Sequence, residues 1–412
     1  MPMTSHVPAP HLPLHFTGPT VLVTLVGPDR SGVSTRLFGA LGAFEVEVID
    51  VEQLVVRGQL VLSVLVTEPV GSSIELDAAV AALGEELGLT ATVERGAGDN
   101  RPRRVGRAQV VVLGAPLRPA AMAALTDEIR SEGGNIDRIV RMARYPVTAI
   151  RLEVSGADPD SLQSSLARVG YEQGVDIAVQ ENGIGRHAQR LVVMDVDSTL
   201  IQGEVIEMIA AHAGCETQVA EVTEAAMRGE LDFAASLTER VALLEGVPES
   251  VLDQVYDGLQ YAPGARTMIR TLKRLGYRFA LVSGGFTRII ERIAEELEID
   301  YFAANELEVA DGRLTGRVTG EIVDRPGKAE ALRRFADQAG IPLLNTVAIG
   351  DGANDLDMLA AAGLGIAFNA KPLVRDQART SVNVPYLDAI VYLLGITREE
   401  IEAADAADAG RS

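Results

Sequence analysis

Two aspartates at the end of an apolar segment are the residues of this sequence best suited to chemistry. Asp195 and Asp197 directly follow Leu191–Met194, a run typical of a buried strand. Ligands of α/β folds bind at the carboxyl ends of such strands. Burying two carboxylates there costs desolvation free energy unless positive charge lies between them, and a divalent cation with a phosphate ester would meet that need. One carboxylate could then attack phosphorus while the other transfers protons at the leaving oxygen.

Three later segments offer further groups that phosphate chemistry needs. The apolar run 279–282 ends in Ser283 and Gly284, where a hydroxyl and backbone N–H groups could bind a phosphate. Lys328 stands where a helix should begin, and a lysine there could hold phosphoryl oxygens. The segment 346–355 runs from an apolar strand into a glycine turn with Asp351 and Asp355, whose hard oxygen atoms suit Mg²⁺.

Each segment alone also has a structural interpretation. A strand that ends in Asp-x-Asp can be a capped loop, Ser-Gly-Gly can be an ordinary turn, and a lysine at a helix start is usually solvated. The cluster of acids and glycines in 350–355 is more specific, because it directly follows an apolar run. The order of all four segments favours one phosphate site over four unrelated structural features.

In this order, D-V-D-S-T, S-G-G, Lys and G-D-G-A-N-D resemble the four motifs of haloacid dehalogenase-like phosphatases. The resemblance spans about residues 190 to 390. It implies that Asp195 is a nucleophile that forms an aspartyl-phosphate, and that Asp197 is the general acid and base. The residues implied to bind the phosphoryl group or support its loop are Ser283, Gly284, Lys328, Asn354 and Asp355. The implied Mg²⁺ ligands are Asp195, the main-chain carbonyl of Asp197, and Asp351.

The residues after the nucleophile are similar to those of phosphoserine phosphatases. Glu204 matches the acid that receives a substrate ammonium, Arg240 matches the arginine that binds a carboxylate, and Met227 and Phe233 match hydrophobic lid residues. O-phospho-L-serine carries these two charges and a phosphate, so a pocket for it needs an acid, a guanidinium fork and a phosphate cradle. The resemblance implies Mg²⁺-dependent hydrolysis of this ester to L-serine and phosphate, as the last step of serine biosynthesis.

Two other functions remain open at this point. Another phosphatase or phosphotransferase of the same superfamily could use these motifs on a different ester, or transfer the phosphoryl group to an alcohol. Glu204 and Arg240 favour an amino-acid head group. The alternative that is not an enzyme is a serine sensor in which the phosphatase-like region is a scaffold. Acids at all the catalytic positions argue against it, because a scaffold would not need them.

Length and composition predict an enzyme with additional domains. A chain of 412 residues predicts two or three domains, and 47% hydrophobic with 23% charged residues is typical of a soluble globular protein. The net charge of -21 argues against nucleic acid or a membrane as a partner. A single cysteine, Cys215, with no signal peptide and no apolar run of transmembrane length, predicts a cytoplasmic protein.

The amino-terminal half predicts two copies of one arrangement. Residues 1–17, rich in Pro and His, predict a disordered tail. Alternating and helical periodicities over 18–96 indicate a βαββαβ unit, and the same order returns over 106–182 after a linker rich in glycine and charge. The sequence therefore predicts two ferredoxin-like units.

The first copy resembles ACT domains, which bind amino acids in many metabolic enzymes. The resemblance lies in the turn Gly27-Pro-Asp-Arg-Ser-Gly32, and the turn 114–119 echoes it loosely. It implies L-serine as an effector bound where such domains pair, with Gly27 and Gly114 letting the chain approach the ligand, and it implies a homodimer. A purely structural or dimerising role stays open.

The remaining sequence predicts the catalytic fold. Residues 186–400 indicate a doubly wound α/β domain with a mostly parallel sheet. A helical cap over about 203–260 is inserted after its first strand and could open and close over a substrate. We expect residues 401–412 to form a flexible tail.

Overall fold

The computed structural model describes residues 16–98, 106–181, 190–227 and 232–409, with only the backbone of 224–227 and 407–409. The chain divides into two compact units, Met1–Arg103 and Arg104–Ser412. Most of the predicted disordered tail and most of the predicted linker lie outside the described residues. Among the residues that are described, no helix is both long enough and apolar enough to cross a membrane.

The first unit has the predicted βαββαβ order. Its elements are β1 (Pro19–Pro28), α1 (Val33–Leu41), β2 (Val48–Val56), β3 (Gln59–Thr67), α2 (Ser73–Leu87) and β4 (Thr90–Ala97). The strands form a sheet in the order β2-β3-β1-β4, with antiparallel neighbours. Alternate residues of β1, such as Val21 and Val23, are fully buried, because one face of the sheet packs against the two helices.

The second copy has the same order and topology. It consists of β5 (Arg107–Gly114), α3 (Pro119–Ser131), β6 (Asn135–Ala143), β7 (Thr148–Ser155), α4 (Pro159–Gln173) and β8 (Asp176–Glu181). The sheet order is β6-β7-β5-β8. The prediction of two ferredoxin-like units is therefore confirmed.

The second copy is packed directly on the catalytic domain. Both faces of β5 are buried, with Val110 and Val112 facing its own helices and Val111 and Leu113 in the core of the catalytic domain. Polar contacts add to this junction, since the side chain of Gln180 donates to the carbonyl of Leu393 at 2.9 Å. The second copy and the catalytic domain thus share one hydrophobic core.

The catalytic domain contains a seven-stranded sheet in the order β12-β11-β10-β9-β13-β14-β15. Its strands are β9 (Leu191–Met194), β10 (Arg278–Phe286), β11 (Tyr301–Ala310), β12 (Arg313–Thr319), β13 (Thr346–Gly350), β14 (Leu364–Phe368) and β15 (Thr380–Val382). All neighbours are parallel except β11 and β12. Val192 and Val193 of β9 lie in different apolar clusters, so both faces of the sheet are covered. This is the predicted doubly wound, mostly parallel fold.

Helices connect and cover these strands. Four of them form the cap between β9 and the next core helix, namely α5 (Val205–Ala213), α6 (Glu216–Met227), α7 (Phe233–Ala242) and α8 (Ser250–Asp257). The others are α9 (Ala265–Arg274), α10 (Thr287–Glu296), α11 (Arg325–Ala339), α12 (Leu356–Ala361), α13 (Pro372–Gln377), α14 (Ala389–Leu393) and α15 (Arg398–Ala409). An isolated bridge between Ile201 and Tyr261 joins the two chain segments that enter and leave the cap.

The prediction of a flexible tail over 401–412 is wrong for residues 401–409, which belong to α15. Ile401 is only 2% exposed, and Asp405 accepts from Arg270 at 2.8 Å and from Arg274 at 2.7 Å. These contacts with α9 hold the helix against the catalytic domain.

Candidate active site

The predicted motifs meet at one edge of the seven-stranded sheet. β9 lies between β10 and β13, with both neighbours parallel to it. Asp195 directly follows β9, Ser283 lies near the end of β10, and Asp351 follows β13. The backbone N–H of Asp195 donates to the carbonyl of Ile349 at 2.9 Å, which links two of these strand ends. Parallel order therefore brings together residues that are far apart in sequence.

Lys328 is the central cation of the site. Its Nζ lies 2.5 Å from Oδ1 of Asp195 and 2.7 Å from Oδ1 of Asp355, and all three side chains are buried. Burial alone lowers the pKa of Lys328, but these carboxylates outweigh it and raise the pKa above its usual value. Asp324 caps α11 by accepting from the N–H of Gly327 at 2.9 Å, which fixes the helix start that carries the lysine.

Three carboxylates near this lysine lie close enough to one another to hold a metal ion. Oxygen atoms of Asp195, Asp351 and Asp355 lie within 4.8 Å of one another. Burial, with the charge of Asp355, raises the pKa of Asp195 well above its usual value and that of Asp351 to about 6. Both oxygens of Asp355 are engaged, one by Lys328 and the other by the N–H of Gly352 at 2.9 Å. One lysine against three acids leaves negative charge that a divalent cation would offset, and the donors are the hard oxygens that Mg²⁺ prefers.

Asp197 connects the sheet edge with the cap. Its Oδ1 accepts from the N–H of Val205, the first residue of α5, at 2.7 Å, and its Oδ2 accepts from the hydroxyl of Ser283 at 2.9 Å. Burial raises the pKa of Asp197, while these two hydrogen bonds oppose the shift. Ser198 has a φ of 59°, a left-handed conformation that is uncommon outside glycine, so the chain turns sharply after the second aspartate.

The turn after Ser283 is shaped by close contacts that only glycine permits. A Cβ on Gly284 would lie 2.9 Å from Cζ of Phe233, the first residue of α7 in the cap. A Cβ on Gly285 would lie 2.9 Å from Oγ of Ser283 and 3.0 Å from Oδ2 of Asp197. Phe233 of the cap therefore lies directly over the predicted phosphate loop, and its role as a lid residue stays a prediction.

Two charged residues of the cap face this site. Glu204 accepts from the hydroxyl of Ser198 at 3.2 Å, and burial together with the charge of Asp197 raises its pKa to about 7. Burial lowers the pKa of Arg240, while the charges of Glu204 and Asp197 raise it in part. Nε of Arg240 donates to the carbonyl of Ser236 at 3.3 Å. Glu204 and Arg240 are thus both partly buried and close enough to Asp197 and to each other for their charges to interact.

Three predicted site residues are less directly placed. Asn354 lies in the turn Ala353–Asp355, with its amide oxygen against Gly352. The side chain of Met227 lies outside the described residues. The main-chain carbonyl of Asp197 as a metal ligand stays a prediction.

The two glycines predicted for an effector lie elsewhere, one in each βαββαβ unit. A Cβ on Gly27 would lie 2.6 Å from Cδ2 of Leu89, and one on Gly114 would lie 2.8 Å from Cα of Leu117. Both glycines therefore make room for the chain itself. Gly114 also lines a cleft of about 570 Å³ between the second copy and the catalytic domain.

Sequence reasoning missed several supporting residues. The hydroxyl of Thr199 donates to Oδ1 of Asp351 at 3.0 Å, and Asn305 is a fully buried amide whose Nδ2 donates to the carbonyl of Gly284 at 2.8 Å. The pairing of Asp355 with Lys328 was not predicted either, since Asp355 was considered only for its loop and for its hard oxygen atoms. The available signal was position, because Thr199 and Asn305 both lie beside the strand ends that carry the motifs.

Comparisons with known proteins agree with this geometry. Residues 192–360 match the haloacid dehalogenase-like hydrolase family, and residues 19–94 and 107–180 each match the ACT domain. Phosphoserine phosphatase of Streptomyces coelicolor is 61% identical over 94% of this chain and 95% of its own length. Phosphoserine phosphatase SerB2 of Mycobacterium tuberculosis is 53% identical over 95% of this chain and 97% of its own length.

A solved structure shows the same fold. The crystal structure of a probable phosphoserine phosphatase from Vibrio cholerae, in unliganded form, superposes with a TM-score of 0.57 at 38% identity. The match covers 70% of this chain and 86% of that one. From the sheet-edge geometry and these relatives, we conclude that the chain is an enzyme of the phosphoserine phosphatase family of haloacid dehalogenase-like hydrolases, with two ACT domains.

Proposed function

We propose that the chain hydrolyses O-phospho-L-serine to L-serine and phosphate, with Mg²⁺, through an aspartyl-phosphate on Asp195. One observation carries the proposal: Asp197 hydrogen-bonds to Ser283 and interacts electrostatically with Glu204, Arg240 and Lys328, so a group suited to each charge of this substrate lies near it. Glu204 would face the ammonium, Arg240 the carboxylate, and Lys328 with Ser283 the phosphoryl group. A phosphate ester without an ammonium and a carboxylate would leave Glu204 and Arg240 without substrate partners.

The carboxylates divide the chemistry between them. In the proposed mechanism Asp195 attacks phosphorus in line, and Asp197 protonates the departing serine oxygen. Asp197 then removes a proton from the water that hydrolyses the aspartyl-phosphate. Lys328 and the hydroxyl of Ser283 hold phosphoryl oxygens throughout, and Phe233 helps to exclude bulk water by covering Gly284.

Asp195, Asp351 and the main-chain carbonyl of Asp197 would hold the Mg²⁺. Asp355 is committed to Lys328 and Gly352, so we assign it to the lysine and the loop. When bound, the cation would supply positive charge against phosphoryl oxygens and would favour the ionised carboxylates.

The direct test is phosphate release from O-phospho-L-serine with Mg²⁺, compared with other phosphate esters and with an added alcohol as acceptor. Preferred turnover of phosphoserine with water as acceptor supports the proposal. Equal rates on all esters, or transfer to the alcohol as the main reaction, would replace it with the broader phosphatase or phosphotransferase function.

Removal of metal should make stability depend on pH in a defined direction. The folded-state pKa values of Glu204 and Asp351 are about 7 and about 6, above their unfolded values of 4.5 and 3.8. Their stabilising contribution is present at low pH and is lost as the pH rises through the folded values. We therefore expect the free energy of unfolding of the metal-free chain to fall by about 2–4 kcal/mol between about pH 5 and pH 8.

Mg²⁺ should restore more stability at the upper pH, because it needs ionised ligands. Denaturant unfolding with and without a chelator measures both effects. Glu204→Gln and Asp351→Asn, each lacking one of the titrating groups, should flatten the dependence on pH. A metal-free chain whose stability does not change over this range would contradict the prediction.

Arg240→Ala should alter substrate preference. We expect kcat/KM for phosphoserine to fall about 30-fold, since an unpaired carboxylate in a partly desolvated pocket costs about 2 kcal/mol. Turnover of an aryl phosphate, which lacks this carboxylate, should change less than about threefold, and Arg240→Lys should lie between because it keeps the charge without the fork. Equal losses on both esters would place Arg240 outside the recognition site.

We further propose that L-serine binds the ACT domains and changes catalysis from a distance, in a cytoplasmic homodimer. Coupling requires L-serine to prefer one of two arrangements of the protein. The second copy shares a core with the catalytic domain, so only the first can be removed without exposing that core.

The test therefore compares the full chain with one that starts near residue 104. Calorimetry measures the binding of L-serine. The effect of L-serine on kcat is measured at saturating phosphoserine, where competition at the active site is suppressed. If both chains bind L-serine equally and show the same change in kcat, the first ACT domain takes no part in regulation. Sedimentation of each chain measures the oligomeric state.

A further inference from the structure

The phosphate loop interrupts the pairing of two neighbouring strands. β10 and β11 pair at Val282 with Ala303 and again at Phe286 with Asn305. Three residues of β10, Ser283 to Gly285, therefore stand opposite a single residue of β11. At such a bulge, backbone N–H and C=O groups lose their hydrogen bonds to the neighbouring strand. Where these groups are buried, they need other hydrogen-bond partners.

The side chain of Asn305 provides one replacement. It is 0% exposed, its Nδ2 donates to the carbonyl of Gly284 at 2.8 Å, and its Oδ1 accepts from the N–H of Val323 at 2.8 Å. This orientation of the amide is fixed by chemistry, because a backbone carbonyl can only accept and a backbone N–H can only donate. An aspartate of the same shape would place an oxygen against the carbonyl of Gly284.

The contact with Gly284 also determines the position of the next peptide N–H. The bond between Gly284 and Gly285 is planar, so a carbonyl held on one side fixes the N–H on the other. That N–H donates to Oγ of Ser283 at 2.8 Å, and the hydroxyl in turn donates to Oδ2 of Asp197 at 2.9 Å. Asn305 is thus connected to the hydroxyl of Ser283 through one rigid peptide.

The other end of the amide reaches the start of the helix that carries the lysine. Val323 is followed by Asp324, the N-cap of α11, whose carbonyl accepts from the N–H of Lys328 at 2.9 Å. One buried side chain therefore joins the two elements that present Ser283 and Lys328. Their spacing sets the width of a phosphoryl pocket.

We propose that Asn305 is a positioning residue of the phosphoryl pocket, which rests on the proposed phosphatase function. It fixes the Gly284–Gly285 peptide, and through it the hydroxyl of Ser283, relative to the helix start of Lys328. Groups held in place before the substrate arrives need no reorganisation during the reaction. The side chain of Asn305 hydrogen-bonds to the backbone of Gly284 and Val323, so it would act through these elements and not on the reacting groups.

Two variants of the full-length chain test this inference. Asn305→Asp keeps the shape and the acceptor for Val323 but loses the donor to Gly284, and Asn305→Leu loses both. We expect each to lower kcat/KM by about 10- to 100-fold. The loss should be the same for phosphoserine and for an aryl phosphate, because the phosphoryl group is common to both esters.

A double-mutant cycle separates positioning from general support of the fold. In a Ser283→Ala background, where the hydroxyl is absent, Asn305→Asp should cost less than about threefold. A purely structural role would cost the same factor in both backgrounds. The matched control is Thr287→Val, which removes a hydroxyl that donates to the carbonyl of Asn305 at 3.2 Å and leaves the amide in place. It should retain normal kcat.

Three results would overturn the inference: a folded Asn305→Asp chain with kcat/KM within about twofold of the original, full additivity with Ser283→Ala, or an equal loss in Thr287→Val. The aryl ester keeps the two proposals distinguishable. If the chain hydrolyses the aryl ester but not phosphoserine, the substrate assignment is wrong and the role of Asn305 can still be tested with the aryl ester. If the chain hydrolyses neither ester, both proposals are wrong.

Discussion

Asp195→Asn should lower phosphate release from O-phospho-L-serine by about 10⁴-fold or more while the chain stays folded. The amide is nearly isosteric with the carboxylate, but it cannot act as an anionic nucleophile. Lys328 keeps one carboxylate partner, because Asp355 lies 2.7 Å from its Nζ. Burial disfavours the ionised form of Asp195. Replacing this carboxylate with a neutral amide should therefore not lower the unfolding midpoint of the metal-free chain.

Rapid acid quench followed by mass spectrometry of the intact chain measures the covalent step. The original chain should carry one phosphoryl group during turnover, on a peptide that contains Asp195, and the Asn variant should carry none. Asp195→Glu is a useful companion, because it keeps the charge but moves the oxygens by one methylene from the end of a fixed strand. A folded Asn variant with more than about one hundredth of the original rate would exclude the covalent mechanism.

Asp197→Asn should slow both half-reactions, by about 10²- to 10⁴-fold, because each needs proton transfer at this position. The size of the effect should depend on the leaving group. A serine alkoxide needs a proton to depart, whereas an aryl oxide departs readily without one. With an aryl phosphate, the variant should therefore release a burst of phenol that matches the enzyme concentration, followed by slow hydrolysis of the aspartyl-phosphate.

The burst distinguishes the proposed role from simple damage to the pocket. The amide oxygen can still accept from the N–H of Val205, as Oδ1 does now at 2.7 Å, so the contact with the cap is preserved. Stopped-flow absorbance of the released phenol measures the burst and the slow phase in one trace. If phosphoserine and the aryl ester slowed equally and no burst appeared, Asp197 would not be the proton-transfer group.

The sequence by itself determined the architecture and most of the chemistry of the site. Apolar runs that end in acids, hydroxyls or glycines are local signals, and they predicted β9, β10 and β13 with reactive groups at their carboxyl ends. Parallel strand order then made the meeting of Asp195, Ser283 and Asp351 an expected consequence. The two βαββαβ units were also predictable, because alternation and helical periodicity are read within short segments.

Only the tertiary structure decided how these groups are paired and buried. Asp355 is the second partner of Lys328, which lies 27 positions away in the chain. Asn305 connects two loops, and one of its hydrogen bonds joins it to Val323, 18 positions away. The two ACT copies have the same order of predicted elements, yet the second shares its core with the catalytic domain. Helix α15, expected to be a tail, is held by Ile401 and by Asp405, which pairs with arginines more than 130 positions away. Local periodicity reports which face of an element is apolar, whereas the identity of the partner depends on packing between elements that are distant in the chain.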